Sequence, residues 1–90
     1  MLALGQVVIT ARIKEVTDHD MVFLREVLTI FDRYKANDWG DMSEDDNAMN
    51  DEAVESGERV FAAYNTTQGK VYIITEYDRS VTTVLFAEEY

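Results

Sequence analysis

The chain is 90 residues long, 47% hydrophobic and 11% aromatic, with 18 acids against 8 bases and neither cysteine nor proline. These values describe one globular domain with an adequate core; they exclude a disordered acidic tail, a disulfide framework and thiol chemistry. A net charge of −10 argues against direct nucleic-acid binding, which needs Lys and Arg to neutralise phosphates, and equally against an anionic membrane surface.

Met1-Leu2-Ala3-Leu4-Gly5 lacks a basic region followed by a long apolar run, so no signal peptide is expected, and no apolar run approaches membrane-spanning length. A cytoplasmic protein is the expectation. Val7, Val8, Ile9 and Thr10 are β-formers that predict a strand over about residues 6–12, apolar on both faces near its middle and so internal to a sheet. Thr17 with Asp20 three residues on reads as a helix start. From Met21 to Lys35, Phe23, Leu24, Val27, Leu28, Ile30, Phe31 and Tyr34 recur at three- and four-residue spacing, the clearest helix in the chain. Asn37 is a plausible left-handed terminator. Ser43 followed by Asp46 predicts a second helix over about residues 44–56, ended by Gly57, with a narrow apolar stripe of Ala48, Met49, Ala53 and Val54.

After Gly57 the period becomes two. Strands are expected at Arg59–Tyr64, Lys70–Tyr77 and Val81–Phe86, joined by turns at Thr66–Gly69 and Asp78–Ser80, with an exposed tail from Ala87. The expected fold is α+β over residues 1–90 as one domain: strand, helix, helix, then a three-stranded antiparallel meander, with two helices packed on one face of the sheet.

Charge is the most uneven property of the chain. Between Asp38 and Glu58 lie nine acids and no Lys or Arg, so nearly all of the net charge sits in one segment. Such a run commonly marks a solvated face that keeps a small protein soluble. It can also serve as a surface for a positively charged protein, through Asp38, Asp41, Glu44, Asp45, Asp46, Asp51, Glu52 and Glu55. Trp39 is either a packing anchor or, if exposed, an apolar hot spot for that partner. Asp41, Ser43, Asp45, Asn47, Met49 and Glu52 follow a calcium-loop register, but Asp46 stands where the sharp turn needs glycine. A second polar cluster, Glu76, Asp78, Arg79 and Thr83, reads as a well-made hairpin turn or as the phosphate-binding end of a small nuclease. There is no Gly-rich phosphate loop, zinc spacing or nucleophile elbow, so no catalytic residue, metal or cofactor is assigned.

Gly5-Gln6-Val7-Val8, Asp38-Trp39-Gly40-Asp41, the acidic run through Asp45-Asp46 to Asn50, Ile73-Ile74-Thr75-Glu76 with Asp78-Arg79-Ser80 and Thr82-Thr83, and the closing Glu88-Glu89-Tyr90 together resemble a family of small acidic, plasmid-related proteins. That family is carried on bacterial plasmids and integrative conjugative elements. Tyr77 and Ala87 depart from the residues that resemblance leads one to expect there. It implies a mobile-element setting and no catalytic role. The expectation is a non-enzymatic accessory protein that binds a basic partner, as a DNA mimic acting on a host defence or regulatory complex. The alternatives are a small nuclease similar in element order to RelE or barnase, and a structural module that forms a homodimer through a sheet edge.

Overall fold

The computed structural model describes residues 2–90. Its elements run β1 (Gln6–Ile9), α1 (Ala11–His19), α2 (Met21–Lys35), α3 (Glu44–Ser56), β2 (Val60–Thr66), β3 (Gly69–Thr75) and β4 (Val81–Phe86), closed by a 3-10 turn at Ala87–Glu89. The fold is α+β, as expected, but the sheet has four strands in the order β1-β4-β3-β2. β2, β3 and β4 form the expected antiparallel meander, whereas β1 joins β4 in parallel, so the sheet is mixed.

The first strand is shorter than expected and is followed by a helix the sequence reading missed. Thr10 is the N-cap of α1: its hydroxyl accepts from the Ile13 N–H at 3.2 Å, and Lys14–Asp18 adds an i,i+4 ion pair. A short apolar stretch carries no period long enough to separate strand from helix, and here the cap decides. Thr17 therefore lies inside α1, bonded back to the Lys14 carbonyl, and Asp20 caps α2 by accepting from Phe23 N–H at 3.0 Å. At the far end of α2, Asn37 takes φ 61° and the Asp38 N–H reaches the Arg33 carbonyl, the left-handed stop expected there.

α1 and α2 cover one face of the sheet. Ile13, Phe23, Val27, Ile30 and Tyr34 pack on Val60, Ala62, Tyr64, Val71, Ile73, Val84 and Phe86, the residues that share that face by register. Within this core the Tyr34 hydroxyl lies 2.6 Å from that of Thr75, which lies 2.7 Å from that of Thr82, which donates to the Leu4 carbonyl at 2.7 Å. Because a carbonyl can only accept, the chain is polarised: Tyr34 donates to Thr75, and Thr75 to Thr82. Three hydroxyls buried among apolar side chains are thereby satisfied in a chain that ends at one backbone carbonyl.

The second expected helix does not lie on that face. α3 stands against the outer edge of β2, and its buried positions are Asn50 and Ala53, with Asn47 and Val54 half-buried; Ala48 and Met49 are exposed, contrary to the expected stripe. The reason is a backbone requirement. Asn50 donates its amide to the Phe61 carbonyl at 2.8 Å and accepts from the Phe61 N–H at 3.2 Å, so one side chain stands in for a neighbouring strand. One ladder step on, Ala63 N–H donates to Trp39 O and Asp41 N–H donates to Ala63 O. Gly40, between them, has φ 78°, and a Cβ there would overlap the Ala63 carbonyl oxygen. The β2 edge is thus covered at Phe61 and Ala63.

The opposite edge is open. β1 was expected to be internal, yet it is a terminal strand. Gln6 and Thr10 bond to β4, so the alternate residues Val7 and Ile9 turn their own backbone groups outward. These two residues are 45% and 44% exposed.

Candidate functional site

The acidic segment divides into carboxylates used by the fold and carboxylates left to solvent. Asp38 accepts from Arg33 Nε at 2.7 Å and Nη2 at 3.2 Å, and from the Gly40 N–H at 3.1 Å. The Arg33 hydrogen bond holds its carboxyl below the usual carboxylate range. Asp41 is paired with Lys70 at 3.0 Å and is lowered for the same kind of reason, with help from Asn65. Each of these two exposed acids is thus paired with a base brought from elsewhere in the fold.

Trp39 leaves the expected partner surface. It is 3% exposed, meets Tyr34 edge-on at 5.4 Å between ring centroids, and donates its indole N–H to Asp51 at 2.9 Å. It is a packing anchor under the α2–α3 connection, and its indole is not available to a partner.

Glu44, Asp45, Asp46, Asp51, Glu52 and Glu55 are all exposed, and among the described residues none has a Lys or Arg within 4.0 Å. At 3.6 residues per turn, Asp51, Glu44, Glu55, Glu52 and Asp45 follow one another round a single arc of about 120°. Asp46 stands apart, turned toward β2. The first-turn acids complement the positive end of the helix dipole, with Ser43 capping Asp46 N–H at 3.1 Å. Glu55 sits at the opposite end, where the Arg79 guanidinium bonds the Ala53 carbonyl and complements the negative end of the dipole.

Arg79 is the functional surprise of the second polar cluster. Its Nη2 donates to the Ala53 carbonyl at 2.7 Å and its Nη1 to the Glu58 carbonyl at 2.6 Å and the Glu76 carbonyl at 3.2 Å. The guanidinium clamps the C-terminus of α3 to the β3–β4 turn and is not free for a phosphate. The Glu76 carboxylate turns instead to Arg59 at 3.4 Å, and Asp78 accepts from the Ser80 backbone and hydroxyl, which lowers its carboxyl. Thr83 pairs with Ile74 on the face away from the helices, while the Thr82 hydroxyl is fully buried. Glu76, Asp78 and Arg79 belong to the β3–β4 turn and Thr83 lies beyond it in β4, so the four do not converge as acid, base and clamp.

The calcium-loop register fails similarly, because Asp45 to Glu52 is helix. Among the described residues no group of three His, Asp or Glu side chains converges on a metal position, and no helix is long and apolar enough to cross a membrane.

One feature went unread in the sequence. A groove of about 610 Å³ runs between α3 and β2, floored by Met42, Met49, Ala53 and Phe61 and rimmed by Asp46, Glu52 and Glu58. Its signal was the pair Asp46 and Met49 one turn apart on a helix with few apolar residues. No protein-family model matches the chain, and neither a curated protein nor a solved structure shows significant similarity to it.

Proposed function

We propose that this protein is a non-enzymatic accessory protein of a bacterial mobile element, acting in the cytoplasm by binding a positively charged protein through α3. The observation that carries the reading is the arc of Glu44, Asp45, Asp51, Glu52 and Glu55, which holds no internal cation among the described residues. The five acids of the arc, spread over the 12 residues from Glu44 to Glu55, amount to about one charge per 3.6 Å of axis, taking a rise of ~1.5 Å per residue. A single DNA strand carries one per ~3.4 Å. The helix therefore matches the linear charge of a phosphate backbone and suits the basic groove of a host defence or regulatory complex. The mobile-element setting comes from the sequence resemblance.

The test is capture of a partner from host lysate at about 50 mM salt, with release by about 300 mM, followed by competition with duplex DNA for the captured protein. Reversal of Asp45 and Glu52 to Lys should abolish capture while the circular dichroism spectrum stays unchanged. Capture that survives both the salt and the reversals refutes the reading.

A second reading rests on the open β1 edge: the chain pairs with a copy of itself there. Sedimentation that stays monomeric up to millimolar concentration removes it.

A further inference from the structure

The acidic arc explains attraction but not why Met49, a large apolar side chain, stands 66% exposed on this helix. Folding gains nothing from it there. Met49 lies over the groove between α3 and β2 with Met42 and Phe61, and the acids around that apolar floor are Asp46, Glu52 and Glu58. None of the three has an ion-pair partner among the described residues. The one base beside them, Arg59, is held by Glu76 at 3.4 Å and by the Tyr90 hydroxyl at 2.9 Å. The apolar floor continues past Phe61 onto Tyr72 and Tyr90, whose ring centroids lie 4.6 and 5.5 Å from that of Phe61.

The edge chemistry decides what can enter. The outward backbone groups of Phe61 and Ala63 are already bonded to Asn50, Trp39 and Asp41, so no visiting strand can add to β2 here. An occupant must satisfy its own main chain, which a helix does. It must offer apolar side chains to a thioether-lined floor, a lining that adapts to varied helix faces. It must also bring positive charge to an acidic rim.

We infer that the groove between α3 and β2 receives a basic amphipathic helix of the partner protein, its apolar face on Met49, Met42 and Phe61 and its lysines or arginines on Asp46, Glu52 and Glu58. This rests on the reading of α3 as a binding surface and adds where the partner docks and what part of it does so.

The probe is an 18-residue helical peptide of Leu and Lys with one apolar face, compared with a scrambled peptide of the same composition that lacks one. Affinity for the intact protein is measured by fluorescence anisotropy at low salt. The facial peptide should bind at least about tenfold more tightly than the scrambled one, and Met49→Ala should remove most of that difference while leaving the scrambled peptide unaffected. Met49→Leu should keep it. Because Met49 is exposed, the circular dichroism spectrum should not change. Equal affinity for the two peptides, or a Met49→Ala variant that binds as well as the parent, overturns the inference. If a triple variant Glu44→Gln, Asp45→Asn, Glu55→Gln loses both peptides while Met49→Ala changes nothing, the acidic surface stands and the groove falls. If neither peptide binds, both fall.

Discussion

Replacing Arg79 by alanine should loosen α3 from the sheet. The side chain makes three donations to main-chain carbonyls, two of them at 2.6 and 2.7 Å. Hydrogen bonds from a charged donor contribute about 1.5–3 kcal/mol each when well formed, and the interaction with a helix C-terminus adds about 0.3–1 kcal/mol. Because the three share one partly solvated group, a total loss of about 3 kcal/mol is expected. Arg79 also sits at φ 60°. A Cβ in the left-handed region costs about 1–2 kcal/mol, whereas the extra freedom of glycine in the unfolded chain costs about 0.4–1 kcal/mol. Arg79→Gly should therefore be more stable than Arg79→Ala by roughly 0.5–1 kcal/mol, the reverse of the usual order in regular structure. Urea unfolding followed by circular dichroism is the assay. With a slope near 1 kcal/mol per molar, the alanine midpoint should fall by about 3 M with little change in slope. Hydrogen exchange should quicken first at the amides of the last turn of α3. An alanine variant within about 0.5 kcal/mol of the parent, or a glycine variant less stable than the alanine one, would falsify the clamp.

Asn50→Ala should cost about 2–3 kcal/mol, because Phe61 loses both partners of its outward backbone groups; Asn50→Asp should be no better, since a carboxylate then faces the Phe61 carbonyl. Thermal melts of the two variants check this, and unchanged midpoints would show that the edge needs no cover. Burial pushes the Tyr34 hydroxyl up to about 12, and burial raises Tyr64 as well. The folded state thus favours the neutral phenol: the contribution of Tyr34 is complete below about pH 10 and is lost as pH rises toward 12, at up to about 1.4 kcal/mol per pH unit. Unfolding at pH 9, 10 and 11 should show that slope, and Tyr34→Phe should reduce it by about half; an unaltered slope means Tyr34 is not its source. Asn47 has a buried side-chain oxygen without a hydrogen-bond partner among the described residues. Asn47→Ala should stabilise the protein by about 1 kcal/mol, through helix propensity and removal of the unpaired acceptor, which is a rise of roughly 4–8 °C in Tm. A lower Tm would mean that the amide has a partner in solution.

The parts of the fold with a long period were legible in the sequence. α2 shows its apolar face over 15 residues, and β2 to β4 alternate cleanly, so these elements stand close to where they were expected. α1 was hidden because Ala11–His19 follows a β-branched run without a glycine or proline between them, and because Thr17 imitates a cap that Thr10 supplies. The placement of α3 was hidden for a different reason. Its inner face is built on Asn50, whose role is to satisfy a strand edge, and a pattern of hydrophobicity cannot register a contact made by hydrogen bonds. The candidate surface was legible as charge and not as geometry. Counting acids finds the segment, but only the fold separates Asp38 and Asp41, each beside a base brought from elsewhere, from the six on α3 that meet none among the described residues.

The sheet has two rims of unlike character, one sealed by Asn50 and the Trp39–Asp41 strip and the other left bare along β1. Stacking of sheets end to end into a fibre needs two receptive rims per molecule, so each added copy can offer a fresh one. Here a pair joined β1 to β1 would leave at its ends only rims covered at Phe61 and Ala63. Growth by strand addition would stop at two, which limits the hazard of an unprotected strand to a closed, twofold assembly.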